Sequence, residues 1–156
     1  MARALEARRA EAVERAARSG RWAEIMFKAL SKRVAVRWQF VSFRGKGGGE
    51  WRGIVDVLAI RKNGEEPTDA ELKRGDLFDV ILVQLKGGDA RRPDGSEIGR
   101  LRKVGQRYHA RAIVLFEWKK GDWCRFRKLG ADCEWHPTNG EELFGRRGNG
   151  RSGRTA

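Results

Sequence analysis

Apolar and polar positions follow two rhythms along the chain, and the change from one to the other marks its elements. Residues 2–18 are rich in Ala, Glu and Arg, with Glu11–Arg15 and Glu14–Arg18 at the favourable i,i+4 spacing, which predicts a helix with a thin apolar stripe. Ser19-Gly20 is expected to end it. A second helix is expected over 21–32, where Trp22, Met26, Ala29 and Leu30 mark one face and Glu24 falls on a neighbouring one. The period then shortens to two. Residues 33–44 alternate, with Val34, Val36, Trp38 and Phe40 on one side, and 51–62 read as a second strand after the connection at 45–49. Asn63-Gly64 and Pro67 break the pattern, and Thr68 with Glu71 suits a capping box on a short helical turn. Residues 77–86 contain the run Val80-Ile81-Leu82-Val83, the mark of a strand buried on both faces.

A loop rich in Gly and Arg leads to a helix over 96–109, with Ile98, Leu101, Val104 and Tyr108 inward and Arg100, Lys103 and Arg107 in a basic stripe beside them. Gly99 and Gly105 in that helix suggest close packing on a sheet. Residues 112–118 read as a wholly apolar strand and 123–129 as its hairpin partner. The order is α-β-β-β-α-β-β, and a helix joining the third and fourth strands makes them parallel, with a right-handed crossover. The fold class is α/β with a mixed central sheet. Three stretches differ in composition: a charged helix at 1–20, the main domain at 21–144, and a Gly/Arg/Ser tail at 145–156 that cannot build a core and is expected to be disordered.

Charge changes the picture more than composition does. The chain carries 34 Lys+Arg against 21 Asp+Glu, a formal net charge of +13 in 156 residues. Such an excess attracts phosphate. No apolar run approaches the roughly 20 residues that span a bilayer, and the charged N-terminal stretch lacks the apolar centre of a secretory signal. No helix pairs a strongly apolar face with a basic one, so nucleic acid is the expected partner, with no membrane, in the cytoplasm at the nucleoid. Cys124, Cys133 and His136 spell C-x8-C-x2-H, with His109 upstream; that spacing fits no standard zinc pattern and reads as free thiols.

The candidate chemistry lies where apolar strands carry polar residues. Asp56 interrupts Ile54, Val55, Val57 and Leu58, while Gln84 and Lys86 share one face of the third strand. An ion placed there costs several kcal/mol unless it is paired or binds a metal. One reading is a structural Asp56–Lys86 ion pair. The other is a site in which Asp56, the Gln84 amide oxygen and a backbone carbonyl near Leu85 offer oxygens to a hard divalent ion. Lys86 would then orient or deprotonate an attacking water, or neutralise charge on a phosphate.

Gly53-Ile54-Val55-Asp56 on the second strand and Val83-Gln84-Leu85-Lys86 on the third, in an α-β-β-β-α-β order, resemble the PD-(D/E)XK nuclease superfamily, the restriction-endonuclease-like fold. The resemblance covers residues 21–118 and looks strongest to the Holliday-junction-resolvase-like branch. It implies a Mg2+ (or Mn2+) dependent endonuclease cutting DNA, with Asp56 and Gln84 as metal ligands and Lys86 as the catalytic lysine. Glu24, in Trp22-Ala23-Glu24-Ile25, would be an auxiliary acid; its alternative is an i,i+4 pair with Lys28. Gln84 stands where the family usually has an acid, and Val55 where it has proline. Gln106 and Tyr108 are similar to a Gln/Tyr feature of some exonuclease members. Glu50 is a rival acid, and Asp79, on the opposite face from Gln84 and Lys86, suits a structural role.

On this reading Arg91, Arg92, Arg100, Lys103 and Arg107 line a phosphate track, and the tail residues Arg146, Arg147, Arg151 and Arg154 add contacts independent of sequence; alternatively they form a solvated basic face. Trp38 and Trp118 read as core, whereas Trp51, Trp123 and Trp135 are either structural or stacked on bases. The function expected is hydrolysis of DNA in branched, recombination or repair intermediates, by a two-fold dimer where the substrate is symmetric. The alternative is a catalytically inactive nuclease-fold module that binds DNA or RNA.

Overall fold

The computed structural model describes residues 2–43 and 53–145. Its first element, α1 (Ala2–Val34), is one helix of 33 residues where the sequence predicts two. The expected stop at Ser19-Gly20 is instead a point of contact. Gly20 is buried, and a Cβ on Gly87 would collide with the Ser19 backbone carbonyl. Small residues on both sides therefore let the helix cross the sheet closely, and burial there outweighs the roughly 1 kcal/mol that glycine costs a helix. Residues 3–18, before the crossing, are all exposed.

Six strands follow: β1 (Gln39–Ser42), β2 (Val57–Lys62), β3 (Phe78–Gly87), β4 (Ala112–Lys119), β5 (Trp123–Leu129) and β6 (Trp135–Thr138). They form one mixed sheet in chain order, in which β3 and β4 pair in parallel and every other pair is antiparallel. The parallel step requires a crossover, and α2 (Gly95–Arg107) supplies it. Asp94 caps α2 in a full capping box with Glu97. The final element is α3 (Gly140–Phe144), capped by Asn139. The sequence reading contains neither β6 nor α3, because four and five residues are too few to establish a period.

Four further expectations are corrected. The second strand begins at Val57 rather than at 51, so Gly53, Ile54, Val55 and Asp56, expected on it, precede it. The first strand begins at Gln39 rather than at 33, because α1 runs to Val34 and Arg37 takes a left-handed φ of 62° before the extended stretch. Thr68 and Glu71 form no helix; Asp69 accepts the Glu71 N–H at 3.0 Å in a local turn. Tyr108 does not face inward, since it follows the end of α2 and is exposed.

Side-chain alternation divides the sheet into two faces. Val57 and Ala59 of β2, Ile81, Val83 and Leu85 of β3, and Ala112, Val114 and Phe116 of β4 form the main core with Ala23 and Phe27 of α1. Phe27 lies at its centre, with ring centroids 5.5 Å from Phe40, 5.6 Å from Phe116, 6.0 Å from Phe126 and 5.9 Å from Phe144. The other face presents Leu82, Gln84 and Lys86 of β3 and Leu115 and Glu117 of β4, with α2 against β4. Gly105 of α2 meets Ile113 so closely that a Cβ would come within 2.9 Å of its Cδ1, the tight packing its sequence predicts; Gly99 has no such neighbour. Among the described residues no helix is long and apolar enough to cross a membrane.

Candidate functional site

Asp56, Gln84 and Lys86 lie toward the C-terminal end of β3. Asp56 precedes β2 and extends the ladder on both sides: its N–H donates to the Val83 carbonyl at 2.9 Å, and its carbonyl accepts the Phe43 N–H at 3.0 Å. Beyond this point β3 has no β2 residue to receive the next amide. The Asp56 carboxylate takes that place, accepting the Leu85 N–H on Oδ2 at 2.7 Å. Leu85 is the residue between Gln84 and Lys86, so the carboxylate lies against the segment that carries both.

Gln84 is buried, and its Oε1 has no hydrogen-bond partner among the described residues. Ser31 Oγ, Trp38 Nε1 and Trp135 Nε1 share that condition, but Gln84 Oε1 alone among the four is a carbonyl-type acceptor. A buried acceptor without a partner costs about 1–3 kcal/mol, so it invites a cation or a donor. Asp56 and Gln84 carry oxygens of the kind a hard divalent ion takes, and Mg2+ needs only one or two from protein because it keeps several waters. No group of three or more His, Cys, Asp or Glu that could hold a metal occurs among the described residues. Lys86 is half-buried on the Gln84 side of the strand.

The other predicted residues lie at graded distances from this corner. Glu24 is on α1, in the layer over the other face of the sheet, and pairs with Lys28 Nζ at 2.8 Å. Arg91 forms an exposed pair with Asp94 at 3.0 Å, and Arg100, Lys103 and Arg107 are exposed on α2. Arg92 donates to Glu117. Asp79 binds Arg61 at 3.1 Å and Arg111 at 3.6 Å on the α1 side of the sheet, the structural position its parity predicts. Arg146, Arg147, Arg151, Arg154, Glu50 and Trp51 lie outside the described residues. Cys124 and Cys133 are free and exposed; Cys133 Sγ is 2.6 Å from Arg102 Nη1, and His136 Nε2 is 2.8 Å from Asp132.

Glu117 is missing from the sequence reading, which takes 112–118 as wholly apolar. It is buried and stands opposite Lys86 in the parallel register. Arg92 Nε donates to its Oε1 at 2.5 Å and Arg127 Nε to its Oε2 at 2.9 Å. The signal available was one acid at the parity of Gln84 and Lys86. Burial alone would raise this carboxyl, but hydrogen bonds and charge from the two arginines outweigh it and hold it below the usual carboxylate range. A carboxyl lowered in the folded state adds stability above its unfolded value and loses that contribution as pH falls through the folded one. Glu117→Gln is therefore expected to cost about 2 kcal/mol near pH 7, a figure below that of a fully buried pair because Arg92 is half-exposed. In urea denaturation the gap from the native protein should narrow as pH falls below about 4.5.

Comparison of the chain with protein-family models, with curated proteins and with solved structures finds no match.

Proposed function

We propose that the protein is a metal-dependent endonuclease with a restriction-endonuclease-like core, hydrolysing phosphodiester bonds of DNA in branched or recombination and repair intermediates. The observation that carries this reading is the Asp56 carboxylate bonded at 2.7 Å to the amide between Gln84 and Lys86, beside the unpartnered Gln84 Oε1. The net charge of +13 and the exposed Arg100, Lys103 and Arg107 on α2 support a polyanionic substrate.

In this mechanism Asp56 and Gln84 would hold a Mg2+ or Mn2+ ion, which when bound would supply Lewis acidity at the phosphate. Asp56 is fixed by the Leu85 amide, so its carboxylate is oriented before substrate arrives. The Lys86 ammonium orients the attacking water and offsets the negative charge that builds on the phosphate oxygens. Arg92, paired with Glu117 and half-exposed, contacts a neighbouring phosphate in this reading through the part of its guanidinium that the pair leaves in water. Glu24, over the opposite face of the sheet and paired with Lys28, is left outside this mechanism, and a two-fold dimer cuts the paired strands of a symmetric junction.

Incubation with four-way, flapped, single-stranded and linear DNA in Mg2+ or Mn2+ tests the reading. Cleavage is expected in at least one arm, abolished by EDTA and by Asp56→Ala. Cutting that survives Asp56→Ala refutes the site. Salt-sensitive binding without cutting in either metal would establish a nucleic-acid-binding module instead, a reading that the neutral Gln84 favours.

A further inference from the structure

Among the described residues, cover on the two faces of the sheet is unequal. On the face that carries Gln84, α2 lies against β4, while the β1–β3 side presents Val41, Phe43 and Phe78 at 44%, 43% and 54% exposure. Isolated exposed apolar residues are ordinary. Position makes these different. Phe40 packs into the core, so Val41 projects from the other side of β1, and Phe43, the residue after the strand, continues the alternation and is likewise exposed. The Phe43 amide bonds to the Asp56 carbonyl and the Asp56 amide to the Val83 carbonyl, which puts Phe43 one strand from Asp56 and two from the stretch of β3 that carries Gln84. With strands about 4.8 Å apart, the Phe43 backbone is about 10 Å from that of Gln84. Val41 follows about 6.6 Å along β1, comparable to the step between nucleotides in an extended single strand.

We propose that Phe43, with Val41 beside it, is a stacking platform for an unpaired base, and hence that the substrate is DNA with a single-stranded stretch next to the scissile phosphate. This rests on the reading of Asp56, Gln84 and Lys86 as a nuclease site. A base inside a duplex has both faces covered by its neighbours; only an unpaired one can offer a face to an aromatic ring. Lys86 near Gln84 and the exposed Lys62, paired in register with Phe78, put cations at both ends of the apolar strip, as a phosphate backbone needs. A second protein copy seated on Phe43 would instead block the approach to Asp56.

The test uses the full chain in EDTA, where nothing is cut, with single-stranded DNA carrying 2-aminopurine and with a matched duplex. Single-strand binding should quench the fluorophore. Phe43→Ala should remove the quench and weaken single-strand binding about 5- to 100-fold, leaving duplex binding unchanged, while Phe43→Trp restores both. Unchanged single-strand affinity in Phe43→Ala, equal losses on both DNAs, or tighter binding to RNA of the same sequence overturns the proposal. So does a dimer, seen by light scattering, that dissociates in Phe43→Ala while DNA binding is kept. Quenching as expected with no cleavage in Mg2+ or Mn2+ would remove the nuclease reading and leave the platform. Cleavage indifferent to strandedness and to Phe43→Ala would do the reverse.

Discussion

Lys86→Ala is expected to lower metal-dependent cleavage by about a hundred-fold or more, with the protein still folded. Lys86 is half-buried near the end of β3, outside the apolar core, so its loss removes little packing. What it removes is the cation opposite Glu117 and one residue beyond the amide that holds Asp56. Thermal melting should shift by no more than a few degrees, and the salt dependence of DNA binding should change by at most one phosphate contact. Loss of rate at nearly constant affinity is the signature of a group used in the transition state. Lys86→Arg is not expected to restore the rate, because a guanidinium stays charged and presents a planar fork in place of a compact ammonium. Native-like cutting by Lys86→Ala would remove Lys86 from the chemistry. Gln84→Glu supplies the complementary result: a second carboxylate beside Asp56 should retain cleavage and shift the Mg2+/Mn2+ preference, read from rates across metal titrations.

Phe27→Ala should destabilise the fold by about 3–5 kcal/mol, a large part of the stability of a typical domain. Phe27 is fully buried and touches aromatic rings from β1, β4, β5 and α3. No single neighbour can close the cavity, because each ring is also held by its own element. Edge-on geometry adds to the loss: Phe40 meets Phe27 at 90° and Phe144 at 77°. Thermal melting should fall by about 10 °C or more, and Phe27→Leu, which refills most of the volume, should recover over half of that. A shift below a few degrees would mean that α1 is not anchored through this residue.

The strands were legible where burial is two-sided. Residues 77–86 and 112–118 carry continuous apolar runs and appear as β3 and β4 within about one residue, paired in parallel as a helical crossover requires. Asp56, Gln84 and Lys86 stood out for a related reason, since a polar residue in an apolar strand demands an account. Context hid the rest. Ser19-Gly20 looks like a stop locally and becomes a contact only when Gly87 lies beneath it. Glu117 was concealed in a run otherwise rich in apolar residues, and its partners Arg92 and Arg127 lie 25 and 10 residues away in sequence. Tyr108 keeps the helical spacing of Ile98, Leu101 and Val104, but α2 ends one residue earlier. Phe43 drew no notice because alternation says which side a residue takes and not what covers that side.

The crossing at Ser19 divides α1 into halves that answer to different forces. Its first sixteen residues after Ala2 rise about 24 Å with every side chain in water, so their amides are guarded only by the helix's own hydrogen bonds. Deuterium should replace those protons within the time of local fraying, whereas from Gly20 onward exchange must wait for the whole sheet to open. A single unbroken rod of backbone thus contains two clocks, and the boundary between them is set by one glycine on a neighbouring strand.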